Sequence, residues 1–88
     1  MLRHILASEH YTVYQWSDRP GAIYATHKHD NDQSHWIISG TLELSVAGFG
    51  CSVLEPGDRD FVPAETYHSA RVIGDEPVLY LIGEKGRL

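Results

Sequence analysis

Hydrophobic and polar residues alternate along this chain in short runs with a period of two, the signature of half-buried strands. Thr41-Leu42-Glu43-Leu44-Ser45-Val46 shows it most clearly, and Ala70-Arg71-Val72-Ile73 shows it more weakly. Tyr11–Trp16, Ala22–Thr26, His35–Ser39, Phe61-Val62 and Val78–Ile82 are rich in β-branched and aromatic residues, which suit a pleated surface. Turn signals separate these runs at Arg19-Pro20-Gly21, Ser39-Gly40, Gly48-Phe49-Gly50, Glu55-Pro56-Gly57, Pro63 and Gly74–Pro77. Ser39-Gly40-Thr41 and Gly48-Phe49-Gly50 read as tight connections between paired strands. After residue 19 no segment carries a 3.6-residue apolar repeat long enough for a helix; the first few residues read as one helical turn or an extra strand. Many short strands at even spacing predict an all-β sandwich or small barrel.

Length narrows this to one domain over residues 1–88, without repeats or a linker. A chain of this size hides only roughly 60–65% of its unfolded surface, so a metal ion or a second copy would add needed stability. Seven basic and twelve acidic residues leave a formal charge of −5, with no basic cluster, which argues against nucleic acid or an anionic membrane as partner. No apolar run approaches the ~18–20 residues of a membrane span. Met1–Glu9 is too short and too charged for a signal peptide, and the single Cys51 cannot form an internal disulfide. These features predict a cytoplasmic protein. Cys51 has no activating neighbour in sequence and is expected in apolar packing.

The unusual feature is six histidines, three of them between positions 27 and 35. On an extended strand His27 and His29 point the same way, and Gln33 and His35 share that parity. His68 lies far along the chain, after Pro63-Ala64-Glu65-Thr66-Tyr67. Two imidazoles at i and i+2 joined by a distant third make a facial set of neutral nitrogen donors. Such a set suits Fe, Ni, Zn, Mn or Cu better than Mg or Ca. A lone His-x-His would more often be chance.

The flanking residues resemble the cupin family. Its first motif, G-x5-H-x-H-x3,4-E-x6-G, is matched at Gly21, His27, His29 and Gly40, with Gln33 at its glutamate position. Its second, G-x5-P-x-G-x2-H-x3-N, is matched at Gly57, Pro63 and His68, with Glu65 and Val72 at its glycine and asparagine positions. The motifs occupy residues 21–40 and 57–72, separated by sixteen residues. The resemblance implies a small cupin barrel, a double-stranded β-helix or jelly roll, with one divalent transition metal ion per chain inside its mouth. It implies His27, His29 and His68 as ligands, with Gln33 in the usual glutamate position. It also implies a homodimer, pairing sheets or exchanging the strand around Tyr11–Trp16.

Three positions depart from the pattern. Glutamine at 33 leaves the site at +2, where a glutamate would give +1, so the metal would be a stronger Lewis acid and favour an anionic ligand. Gln33 either ligates through its amide oxygen, hydrogen-bonds a water on the metal, or only fixes a neighbouring histidine; a site emptied of metal is the remaining alternative. Glu65 replaces a glycine and reads as a solvated turn residue; Val72 replaces an asparagine. His35 reads either as a catalytic base in the pocket or as a packed partner of the ligands. Trp16, Tyr24 and Trp36 read as packing or dimer residues, with Trp36 facing away from His35. Asp30-Asn31-Asp32 reads as a polar turn at the barrel mouth.

The resulting expectation is a metal-dependent enzyme acting on a small molecule, dioxygenase-like or isomerase-like. The alternative is a non-catalytic cupin that binds or senses a small ligand or metal.

Overall fold

The protein was analysed as a computed structural model, which describes Ile5 and residues 11–85. Expectations for the other N-terminal residues lie outside the described residues. Seven strands follow one another: β1 (Thr12–Asp18), β2 (Ile23–His27), β3 (Asp32–Ser39), β4 (Thr41–Val46), β5 (Gly50–Leu54), β6 (His68–Ile73) and β7 (Val78–Lys85). They form two antiparallel sheets, one ordered β1-β7-β3 and the other β2-β6-β4-β5. Every strand neighbour except the β4–β5 hairpin is distant in sequence, the mark of a jelly-roll path.

The alternation seen in sequence decides which side chains meet between the sheets. Leu42, Leu44 and Val46 point inward from β4 and are buried, while Thr41, Glu43 and Ser45 face outward. Ile37, Val72, Val78, Tyr80, Leu54 and Val62 complete the core. A second cluster, Tyr11 and Leu81 with Val13 and Trp36, covers the outer face of the three-stranded sheet. Trp36 therefore does face away from His35, as parity required.

Connections follow from turn chemistry. Gly40 joins β3 to β4 at φ +78°, and a Cβ there would collide with the Pro77 carbonyl and lie 2.7 Å from Val78 Cα. Only glycine satisfies both the left-handed backbone and the close approach. Glu65, standing where the motif has glycine, keeps the glycine conformation at φ 61°. Its N–H donates to the His29 carbonyl at 2.8 Å, tying the loop after β2 to the loop before β6. Val72, at the motif's asparagine, is a buried core residue.

Three expectations change. Phe61-Val62 is not a full strand; it touches β3 through the Gln33–Val62 bridge. The pairing is interrupted between this bridge and a second one at Trp36–Arg59, because the side chain of Asp60, not its carbonyl, accepts the His35 N–H, and the Asp60 carbonyl accepts from Ser34 Oγ. β3 starts at Asp32, inside the expected polar turn, whose carboxylate accepts the Ala64 N–H at 2.7 Å. Cys51 is exposed rather than packed, because it pairs with Ser45 on the outward face of β4. Among the described residues no helix is long and apolar enough to cross a membrane.

Candidate metal centre

Strand register brings His27, His29 and His68 together. β2 and β6 pair regularly at Ile23–Arg71 and Tyr24–Ala70, then shift by one residue so that His27 lies opposite His68. The extra residue is a β-bulge, which re-aims the side chains beyond it. Through it, both Tyr24 and His27 face the interior although three positions separate them. His29 follows on the loop.

The ligand-capable atoms of these three histidines lie within 4.8 Å of one another. His27 Nε2 and His29 Nε2 are 3.1 Å apart. An ion bound ~2.0–2.1 Å from each of two nitrogens needs them roughly 3–3.4 Å apart, so this pair already has the required separation. The outer nitrogens fix the tautomers. His27 Nδ1 lies 2.6 Å from the Ala25 carbonyl and His68 Nδ1 lies 3.0 Å from the Thr66 carbonyl. A carbonyl only accepts, so each Nδ1 carries the proton and each Nε2 turns a lone pair to the cluster. Burial pushes the His29 and His68 imidazoles below the ordinary value, and the neighbouring His27 adds to the shift. Neutral, convergent imidazoles are what a first-row transition metal needs, and the donor set fits one.

Gln33 and His35 sit on β3 beside this cluster, both buried. Gln33 Nε2 donates to Glu84 Oε1 at 2.9 Å. His35 is clamped by Asp60: its backbone N–H donates to Oδ1, and its Nδ1 lies 2.9 Å from both carboxylate oxygens. The carboxylate assigns the proton to Nδ1 and leaves Nε2 as the free ring nitrogen.

All five of these residues line one cavity of about 270 Å³ between the sheets. A larger, more open depression of about 380 Å³ includes only His68 among them, so the cavity between the sheets is the candidate site. Its other wall is aromatic and aliphatic: Tyr14, Trp16, Tyr24, Tyr80, Leu42, Leu44 and Ile82. Trp16 and Tyr24 thus line the cavity, a place beyond the packing or dimer role expected of them; the bulge after Tyr24 and the pairing of Trp16 with Tyr80 turn them toward it. Asp18 organises this wall. It accepts from Tyr24 Oη at 2.6 Å, Tyr80 Oη at 2.8 Å and Trp16 Nε1 at 3.0 Å. Burial, then the Asp18 carboxylate, raises both phenols above the usual range, so they remain donors.

The sequence reading missed Asp18, Asp60 and Glu84. Period-two parity on β7 would have flagged Glu84, an acidic residue in register with inward-facing Tyr80 and Ile82. Nothing local marks Asp60, because its role depends on lying beside β3.

Comparison with known proteins agrees with this architecture. The Cupin domain family model matches residues 15–83. A 5-nitrosalicylic acid 1,2-dioxygenase from Bradyrhizobium sp is 35% identical over 63 residues, covering 72% of this chain and 30% of the dioxygenase. The DMSP lyase DddQ from Ruegeria pomeroyi superposes with a TM-score of 0.79 at 28% identity, over 89% of this chain and 39% of the lyase. KdgF from Halomonas sp. superposes with a TM-score of 0.74 at 23% identity, over 88% of this chain and 71% of KdgF, a likeness of fold alone. The chain spans less than half the length of the dioxygenase and of the lyase.

Proposed function

The chain belongs to the cupin domain family, and from that premise we propose that it is a divalent-metal-dependent enzyme acting on a small organic acid, with dioxygenase-like chemistry. The observation that carries the proposal is one cavity with three convergent imidazoles at one end and an aromatic wall at the other. The dioxygenase relative, named for an aromatic acid, supports that substrate class.

His27, His29 and His68 would hold the ion, with the Gln33 amide oxygen as a fourth donor. A bound divalent ion supplies a Lewis acid with open positions for an anionic oxygen ligand. The remaining steps belong to the chain. Tyr14, Trp16, Tyr24 and Leu44 bind the apolar body of the substrate and exclude water from it. Asp18 holds the Trp16 and Tyr24 rings in place, so little side-chain freedom is lost on binding. His35, oriented by Asp60, takes a proton from the substrate at Nε2 and returns it to the product.

Two measurements test this. Untagged protein purified without chelator should hold near one transition metal ion per chain, lost in a His27→Ala/His68→Ala variant. Loaded with Fe, Ni, Zn, Mn or Cu in turn, it should consume O2 with one of a panel of salicylates, catechols and β-diketones. Metal binding without turnover across the panel would refute the dioxygenase reading and favour a binding or sensing role.

The protein is also proposed to be a homodimer, because β1 pairs only with β7 among the described residues and leaves an open edge. A monomer in sedimentation at micromolar concentration would refute this.

A further inference from the structure

Glutamine replaces the motif's glutamate at 33, yet the centre has not lost its carboxylate. In the β3–β7 register Gln33 lies directly opposite Glu84. Paired residues of an antiparallel ladder project to the same face, and both line the cavity of the three histidines. Gln33 Nε2 donates to Glu84 Oε1 at 2.9 Å, and Gln33 is only 4% exposed.

This contact decides a chemical question that the sequence leaves open. The two ends of a side-chain amide are alike in shape, but only the oxygen can donate a lone pair to a cation. An NH2 turned toward the imidazoles would oppose binding. A carboxylate only accepts, so Glu84 captures the NH2 end and leaves Oε1 as the end available to the cavity. The charge-assisted bond also polarises the amide and makes its oxygen a better donor.

We infer that Glu84 is the positioning residue of the metal centre: it sets the Gln33 amide with its oxygen toward the histidines, and it carries from β7 the negative charge that a glutamate at 33 would have supplied. The inference rests on the metal-binding reading above and deepens it. It makes Gln33 and Glu84 one unit, so substitution at one should change the effect of substitution at the other.

The test is a double-mutant cycle on the full chain, read by Co(II) affinity and the visible spectrum of the Co(II)-loaded protein. Glu84→Gln should weaken Co(II) binding by about 10- to 100-fold, the usual effect of removing a partner that orients a ligand, and should alter the spectrum. In a Gln33→Glu background the same change should cost less than about 3-fold. A carboxylate introduced at position 33 would bring its own charge and present an oxygen either way round, and an amide at position 84 could donate to it. Equal losses in both backgrounds would reduce Glu84 to general electrostatics or barrel stability and overturn the inference. Unchanged affinity and spectrum in Glu84→Gln would overturn it alone. Absence of Co(II) binding by the parent protein would overturn the metal centre and this inference together.

Discussion

Replacing Asp60 separates two roles that its carboxylate performs at once. The side chain accepts the His35 backbone N–H and the His35 Nδ1–H, and both partners are largely shielded, with side-chain exposures of 10% and 11%. Asp60→Ala leaves two buried donors without a partner. Each such loss costs roughly 1–3 kcal/mol. Water entering the space left by the carboxylate would recover part of this, so about 2–4 kcal/mol of stability should disappear, read as a lower urea midpoint at unchanged slope. Asp60→Asn should behave differently. Its oxygen can still accept the backbone N–H, and its NH2, in place of the oxygen that lay 2.9 Å from Nδ1, favours the ring form in which Nδ1 accepts. The cost should be about 1 kcal/mol or less, since the number of hydrogen bonds is conserved. The tautomer balance shifts toward Nε2–H, however, and in that form the nitrogen facing the cavity loses its lone pair. Long-range 15N–1H NMR at mildly alkaline pH reads this tautomer directly, without knowledge of the substrate. An Nε2–H tautomer in the parent protein would refute the assignment of the proton. An Asp60→Ala cost below about 0.5 kcal/mol would refute the view that the clamp is a buried, structural pair.

Gly40→Ala should cost roughly 2–4 kcal/mol, from the left-handed backbone plus the collision with Pro77 and Val78. Gly48→Ala, at φ +85° in open space, should cost only about 1–2 kcal/mol; equal losses in urea unfolding would remove the steric explanation. The metal-free protein should lose stability as pH falls below about 6.5. Burial lowers the His29 and His68 pKa values in the folded state, so the unfolded chain binds more protons, and the stabilisation present above the unfolded value is lost on acidification. Metal affinity should fall in the same direction, because protons compete for the same nitrogens. A melting temperature that stays flat between about pH 7 and 5.5, or a slope unchanged in a His29→Asn/His68→Asn variant, would contradict this.

Much of the architecture was written locally. Alternation along 41–46 already assigns Leu42, Leu44 and Val46 to the interior, because side chains on a strand must alternate between faces. Glycine and proline marked the connections, since glycine readily supplies left-handed backbone angles and proline fixes its own. The two spaced motifs selected His27, His29 and His68, because the residue types that can hold a transition metal are few and their spacing is set by strand geometry. Other features depended on which strands become neighbours, a long-range outcome that no local pattern carries. The bulge opposite His68 turned Tyr24 into the cavity wall beside the histidines. The strip beside β3 placed the Asp60 carboxylate, not a backbone carbonyl, against His35. The β3–β7 register set Glu84 against Gln33 across fifty-one positions of sequence. The local sequence therefore specified the candidate ligand residue types, while tertiary pairing decided their tautomers, the orientation of the amide and the shape of the cavity, because those depend on partners that only the folded chain brings within hydrogen-bonding distance.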